Sequence, residues 1–205
     1  MGLSVVINTS ALAPDAATHL SSGKVPHAQR AWLLRAVILP RYIESGVFSE
    51  IVVVGEFEPG PNYTYMEFPS VYHNCADALL KRQAGYEALK QRSVGWVLFQ
   101  HDDHMWDFAN GYPAKEAADV LSLSRWTRAR VGFGEQLNDG GLRHINGHAC
   151  LFRFGVAARV PWTKAPPVFT WDMEMTKLLR EANVAIRYAP EFKVWDVEMG
   201  AEPWR

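Results

Sequence analysis

Three apolar runs of strand type are spaced by two segments of helical period, and this order sets the fold class. The runs are Leu3 to Ile7, Glu50 to Val54 and Gly95 to Phe99. Runs rich in Val, Ile and Leu without alternation fit strands buried on both faces of a parallel sheet. Between them, His27 to Ser45 repeats Ala31, Leu34, Val37, Ile38 and Tyr42 at helical spacing. Asn74 to Lys90 does the same with Ala78, Leu79, Arg82, Gly85, Tyr86 and Leu89. Pro40 falls inside the first pattern and predicts a kink or an early stop. The order β-α-β-α-β predicts an α/β chain with a mostly parallel, doubly wound sheet and helices on both faces.

The third run ends abruptly in His101-Asp102-Asp103-His104. In open α/β sheets the ligand sits beyond the carboxyl ends of the strands. Two adjacent carboxylates there suit a hard divalent cation that bridges to phosphates. The plainer reading is a solvated strand-to-loop junction, but two acids and two imidazoles exceed what a turn needs.

The rest of the chain is read more coarsely. Ala11 to Val25 and Phe57 to Pro69 are irregular, and Trp106 to Tyr112 is a loop before a short helix from Pro113 to about Leu123. Ala129 to Gly134 and His148 to Phe154 read as strands around the turn Asn138-Asp139-Gly140-Gly141. Met173 to Asn183 is a helix with Asp172 at its start, Ala185 to Tyr188 is a last strand, and Pro190 to Arg205 is a tail. A carboxylate at a helix start is also a plain N-cap.

A chain of 205 residues, 48% hydrophobic, predicts a single domain with a sizeable core, 1–110 forming one half and 111–205 the other. The 21 basic and 22 acidic residues leave a net charge of -1, which argues against a global nucleic-acid or membrane partner. Cys75 and Cys150 form no metal-ligand pattern and suit a reducing compartment. No apolar stretch approaches the length of a membrane span, and the start lacks a signal-peptide pattern. The expectation is a soluble, cytoplasmic protein.

In order and spacing, these motifs resemble a glycosyltransferase of the GT-A fold, of the large inverting family that uses nucleotide-sugar donors. Val5 to Thr9 is similar to the opening strand and donor loop. Ile51 to Glu56 is similar to the second strand, which ends in an acid facing the nucleoside. Lys81-Arg82-Gln83-Ala84-Gly85 is similar to the Arg-Asn-x-Gly helix signature, with Gln83 where Asn is usual. Val97 to Asp103 resembles the strand into the Asp-x-Asp motif, here with the acids adjacent. Thr170-Trp171-Asp172-Met173-Glu174 is similar to the motif that carries the catalytic base, and Ala185 to Pro190 resembles the closing strand.

The resemblance implies a sugar moved from a nucleotide-diphosphate donor, UDP favoured, to an acceptor hydroxyl with inversion. Asp172 is the expected general base and Glu174 the alternative. The donor falls to Asn8, Thr9, Glu56, Arg82 and Asp102. Mn²⁺ or Mg²⁺ falls to Asp103 first, then Asp102, His104 and Asp196, the last where the family often has a His. Trp106 and Trp171 flank the acidic motifs and are candidates to stack on a sugar or base.

Two rivals stand. A nucleotidyltransferase uses a similar sheet but wants a Gly-rich basic loop after the first strand, and Asn8 to Pro14 has no Gly. A noncatalytic sugar-nucleotide binding module would bind donor without turnover. The acceptor reads as a saccharide or a hydroxymethylated DNA base. The stretch Ser124 to Arg130, with Arg143 and Arg153, is the only support for DNA, and the balanced net charge ranks it second.

Overall fold

The computed structural model describes residues 2–9, 11, 27–69, 75–92, 94–107, 118–123, 125–130, 134–139, 145, 149–160, 171–189 and 193–196. Strands β1 (Gly2–Thr9), β2 (Phe48–Gly55), β3 (Thr64–Glu67), β4 (Val94–His101), β6 (Val120–Leu123), β9 (Ala149–Arg153) and β10 (Ile186–Ala189) form one sheet. Its order is β10-β6-β9-β4-β1-β2-β3. β9 runs antiparallel to both its neighbours, and the other pairings are parallel. A second sheet joins β5 (His104–Asp107), β11 (Lys193–Asp196), β7 (Arg125–Arg130) and β8 (Gly134–Asp139), in that order. The α/β, mostly parallel architecture is the one expected.

The helices divide between the two faces of the large sheet. α1 (His27–Leu33) runs through a π turn at Leu34–Ile38 into α2 (Leu39–Ser45). This unit packs Leu33, Leu34, Ile38 and Tyr42 onto Leu3, Val5, Ile7, Val53 and Leu98. The opposite core sets Leu79, Tyr86 and Leu89 of α3 (Cys75–Leu89) beside Val6, Val52, Val54, Val97 and Phe99. Met175 and Leu179 of α4 (Trp171–Glu181) belong to it too. Alternate residues of β1 therefore serve alternate faces, both buried, and this is why the run carries no polar alternation.

Pro40 does not end the helix. It lacks an N–H for the carbonyl four residues back, and its ring crowds that carbonyl. The chain widens just before it: the Leu39 N–H reaches five residues back to the Leu34 carbonyl. Pro40 then falls in the first turn of α2, where a missing N–H is tolerated.

Other expectations are corrected. The loop read from 57 to 69 contains β3, paired parallel with β2. Residues 104–107, read as acidic motif and loop, form β5. Residues 120–123, read as helix, form the buried strand β6; 113–117 lie outside the described residues. Of the strand read at 129–134, residues 129–130 end β7, 134 begins β8 and 131–133 lie outside the described residues, and Asn138 and Asp139 belong to β8 rather than to a turn. The tail contains β11.

Gly85 brings α3 down onto the sheet. A Cβ built there would stand 2.4 Å from Val6 Cγ1 and 3.1 Å from Val54 Cγ2, both on fully buried β-branched side chains. Such side chains have little rotamer freedom with which to yield. Gly85→Ala gains about 1 kcal/mol of helix propensity but overpacks the core by about 1–3 kcal/mol. The expected outcome is a net loss, read as a thermal midpoint a few degrees below wild type. An unchanged or raised midpoint would show that α3 lifts without cost.

Candidate active site

From β1 the chain passes to β2 and β3 on one side, then returns to β4 on the other. The order reverses at β1, and the crevice beyond the carboxyl ends of β1 and β4 is the switch point where such sheets bind ligands. The parallel register there pairs Asn8 with His101. On the β2 side it pairs Thr9 with Gly55.

Asp102 and Asp103 follow β4 directly. Both are buried, Asp102 at 1% exposure and Asp103 at 9%. The Ala11 N–H donates to Thr9 Oγ1 over 3.0 Å, and Thr9 Oγ1 donates to Asp102 Oδ2 over 2.7 Å. Arg30, buried on α1, places Nη2 3.5 Å from Asp102 Oδ1 and donates with the same nitrogen to Asp103 Oδ2. His104 Nδ1 lies 2.6 Å from Asp103 Oδ1. Each of the four carboxylate oxygens thus has a protein partner. Burial pushes the Asp102 carboxyl up against the opposing pull of Arg30. Burial acts the same way on Asp103, but Arg30 and His104 outweigh it and hold that carboxyl well below the usual range. Asp103 is therefore the more readily ionised of the two. With Asp103 ionised, His104 donates from Nδ1, and in the neutral ring Nε2 keeps its lone pair.

Asn8 is oriented from two sides. Its Oδ1 accepts from Arg82 Nε over 3.3 Å, and its Nδ2 lies 3.0 Å from His101 Nδ1. An amide nitrogen only donates, so His101 Nδ1 accepts, and the neutral ring carries its proton on Nε2. Arg82 is fully buried and supports Asn8 rather than the surface. Beside it, Lys81 Nζ donates over 2.7 Å to both the Thr9 carbonyl and Glu56 Oε2. Glu56 stands just past β2, its side chain 13% exposed.

The acidic turn is braced from behind. Tyr42 Oη donates to Gln100 Oε1 over 2.7 Å and accepts from the Trp106 N–H over 2.9 Å. Gln100 Nε2 donates to the His104 carbonyl over 2.9 Å. One phenol and one amide thereby tie both sides of the turn to helix α2.

Thr9, Asp102, Asp103 and His104 are therefore joined in one set through Arg30, with Glu56 tied to the Thr9 carbonyl through Lys81, and a neighbouring set joins Asn8 to Arg82 and His101. The register of β11 on β5 sets Asp196 opposite His104, and β7 sets Arg128 opposite Asp196. Asp172 lies in the first turn of α4 and Glu174 two residues on; the side chains of Asp172, Glu174 and Asp196 lie outside the described residues. Trp106 is a correction: it is 1% exposed and belongs to the core, not to a stacking surface. Arg153, from the basic stretch, has its side chain 41% exposed. It donates to the Ala118 carbonyl over 2.8 Å and lies over the Trp96 ring.

The sequence reading missed Arg30 and the bracing role of Lys81. The signal was present: Arg30 precedes Leu33 and Leu34 at the spacing of a buried stripe, and Lys81 falls between Ala78 and Gly85 on the face of α3 turned to the sheet.

Two carboxylates and an imidazole beside them are a donor set suited to Mn²⁺ or Mg²⁺. Among the described residues, no three His, Cys, Asp or Glu side chains close on a common point. By type these donors suit a hard cation, and the Arg30 guanidinium occupies the position between the two acids.

Comparison of the fold with solved structures places it. A glycosyltransferase involved in the glycosylation of the major capsid of PBCV-1 superposes with a TM-score of 0.53 at 11% identity, over 92% of this chain and 80% of that one. The fold is GT-A-like. GalNAc-T7, solved with UDP, GalNAc and Mn²⁺, superposes with a TM-score of 0.56 at 9% identity, over 98% of this chain and 44% of that one. The inositol-1-phosphate CTP transferase from T. maritima superposes with a TM-score of 0.51 at 8% identity, over 97% and 90%. No protein-family model and no curated protein matches the sequence. Among the described residues no helix is long and apolar enough to cross a membrane.

Proposed function

We propose that the chain is a glycosyltransferase that moves a sugar from a nucleotide-diphosphate donor to an acceptor hydroxyl with inversion. The observation that carries the reading is the acid pair at the end of β4, set at the switch point of a GT-A-like sheet and tied to Thr9 at the end of β1. Asn8, Thr9 and Glu56, at the ends of adjacent strands, bind the nucleoside and ribose. Arg82 and Lys81 fix the orientation of those groups. Asp102, Asp103 and His104, with Asp196 opposite, hold Mn²⁺ or Mg²⁺, which when bound neutralises the charge of the leaving diphosphate. Mn²⁺ and UDP in the GalNAc-T7 structure support these as the first cation and nucleotide to test. Asp172, with Glu174 as alternative, takes the acceptor proton as the acceptor oxygen bonds to the anomeric carbon. The bond from that carbon to the phosphate oxygen breaks, and its electron pair leaves with the nucleoside diphosphate.

A second reading, nucleotidyl transfer, is favoured by the likeness to the CTP transferase. The products separate the two: sugar transfer releases a nucleoside diphosphate, whereas nucleotidyl transfer releases pyrophosphate. The test is turnover of a panel of sugar nucleotides with Mn²⁺ by wild type, Asp103→Ala and Asp172→Asn, each checked for folding by circular dichroism. The expected outcome is nucleoside diphosphate release that falls by about a hundredfold or more in both variants. Undiminished turnover in Asp103→Ala rejects the cation role. Pyrophosphate release from a nucleoside triphosphate and a sugar phosphate establishes the second reading.

A further inference from the structure

The position of Arg30 carries an inference about regulation of the acid pair that rests on the cation reading above. One nitrogen, Nη2, serves both carboxylates: it donates to Asp103 Oδ2 and lies 3.5 Å from Asp102 Oδ1. A cation bridging the two acids would need the space that this nitrogen fills. We propose that Arg30 is an exchangeable internal counter-cation: its guanidinium and a divalent metal ion occupy the Asp102–Asp103 pair in turn and exclude each other.

Charge and burial explain why such a group is needed. Two adjacent carboxylates, 1% and 9% exposed, repel each other and lose most of their hydration. Without a counter-charge that arrangement opposes folding. Arg30, itself 6% exposed, supplies the charge from α1, so the site can form before any metal is present. A guanidinium neutralises only one of two ionised carboxylates, whereas a divalent ion neutralises both. The two cations cannot share the pair, because they would stand at contact distance where solvent screens them poorly. Metal affinity in the resting protein is therefore reduced by the free energy of parting Arg30 from the acids.

The test measures Mn²⁺ binding to donor-free protein, by the loss of the free-ion paramagnetic resonance signal and by the rise in thermal midpoint. Neither readout needs turnover. The proteins are wild type, Arg30→Gln, Arg30→Lys and Asp103→Asn. The expected result is tighter binding in Arg30→Gln by about tenfold or more, with a larger Mn²⁺-induced rise in midpoint than in wild type. Arg30→Lys, which keeps the charge but loses the planar fork, binds between the two and serves should Arg30→Gln fail to fold without metal. Wild-type binding that is lost in Asp103→Asn, with neither Arg30 variant tighter than wild type, overturns the exchange and leaves the cation site standing. No Mn²⁺ binding by wild type or by either Arg30 variant overturns both.

Discussion

Gly55→Ala is expected to destabilise the protein by about 3–5 kcal/mol and to abolish nucleotide binding. Gly55 closes β2 with φ at +135°, a conformation that L side chains rarely adopt. That alone costs about 1–3 kcal/mol. The added Cβ would also stand 1.8 Å from the Thr9 carbonyl oxygen and 2.8 Å from its carbon. These are backbone atoms, so no rotamer change relieves the collision, and β1 must separate from β2 at their last paired residues. Separation there displaces Thr9, whose hydroxyl holds Asp102, and the carbonyl that Lys81 engages. A loss of this size is a large part of the 5–15 kcal/mol that holds a typical domain together. At about 2–4 °C per kcal/mol, the midpoint should drop by roughly 10 °C, read by calorimetry. Nucleoside diphosphate binding, read by titration calorimetry, should vanish at temperatures where the variant is still folded. A wild-type midpoint would show that the chain end beyond β2 reshapes freely.

The large sheet was legible because its central strands are long and buried on both faces. Val5-Val6-Ile7, Ile51 to Val54 and Val97-Leu98-Phe99 have no other stable use in a chain this size, and the acids at the end of β4 marked the crevice. The small sheet was not legible. β5 and β11 are four residues each, too short to show a period, and they pair with each other across some ninety residues of sequence. Their partnership is a tertiary fact. The misread helix at 120–123 has the same origin: Val120 and Leu121 are apolar enough for either state, and pairing with β9 and β10 decides between them.

Within the site, the sequence pointed to the acids and to Arg82, but not to what supports them. Acidic pairs at a strand end advertise themselves. A cation in a buried helical stripe gives a weaker signal, its spacing alone, because Lys and Arg are usually solvated. Lys81 was legible as part of the face of α3, and its pairing with Glu56 depends on Gly85 bringing that helix against β1 and β2.

That dependence makes Lys81→Met the other variant of large effect. Met keeps most of the length and apolar stem and removes the ammonium. The Thr9 carbonyl and Glu56 Oε2, each 2.7 Å from Nζ, then lose a charged donor. Glu56 is left as a carboxylate whose side chain is 13% exposed, close to a backbone carbonyl that repels it. Breaking one side of a buried ion pair costs about 3–5 kcal/mol, and the residual water at Glu56 reduces this to about 2–4 kcal/mol. Glu56→Gln in the same background removes the carboxylate charge that this ammonium balanced. The double variant should therefore recover part of the loss, with a coupling of about 1–3 kcal/mol in a double-mutant cycle by urea unfolding. Additive effects would mean that the ammonium acts through Thr9 alone. Nucleoside diphosphate affinity should fall in Lys81→Met more than in Glu56→Gln, since Lys81 orients both the Thr9 end of β1 and Glu56 at the end of β2. Equal affinities in the two variants would confine Lys81 to a role in stability.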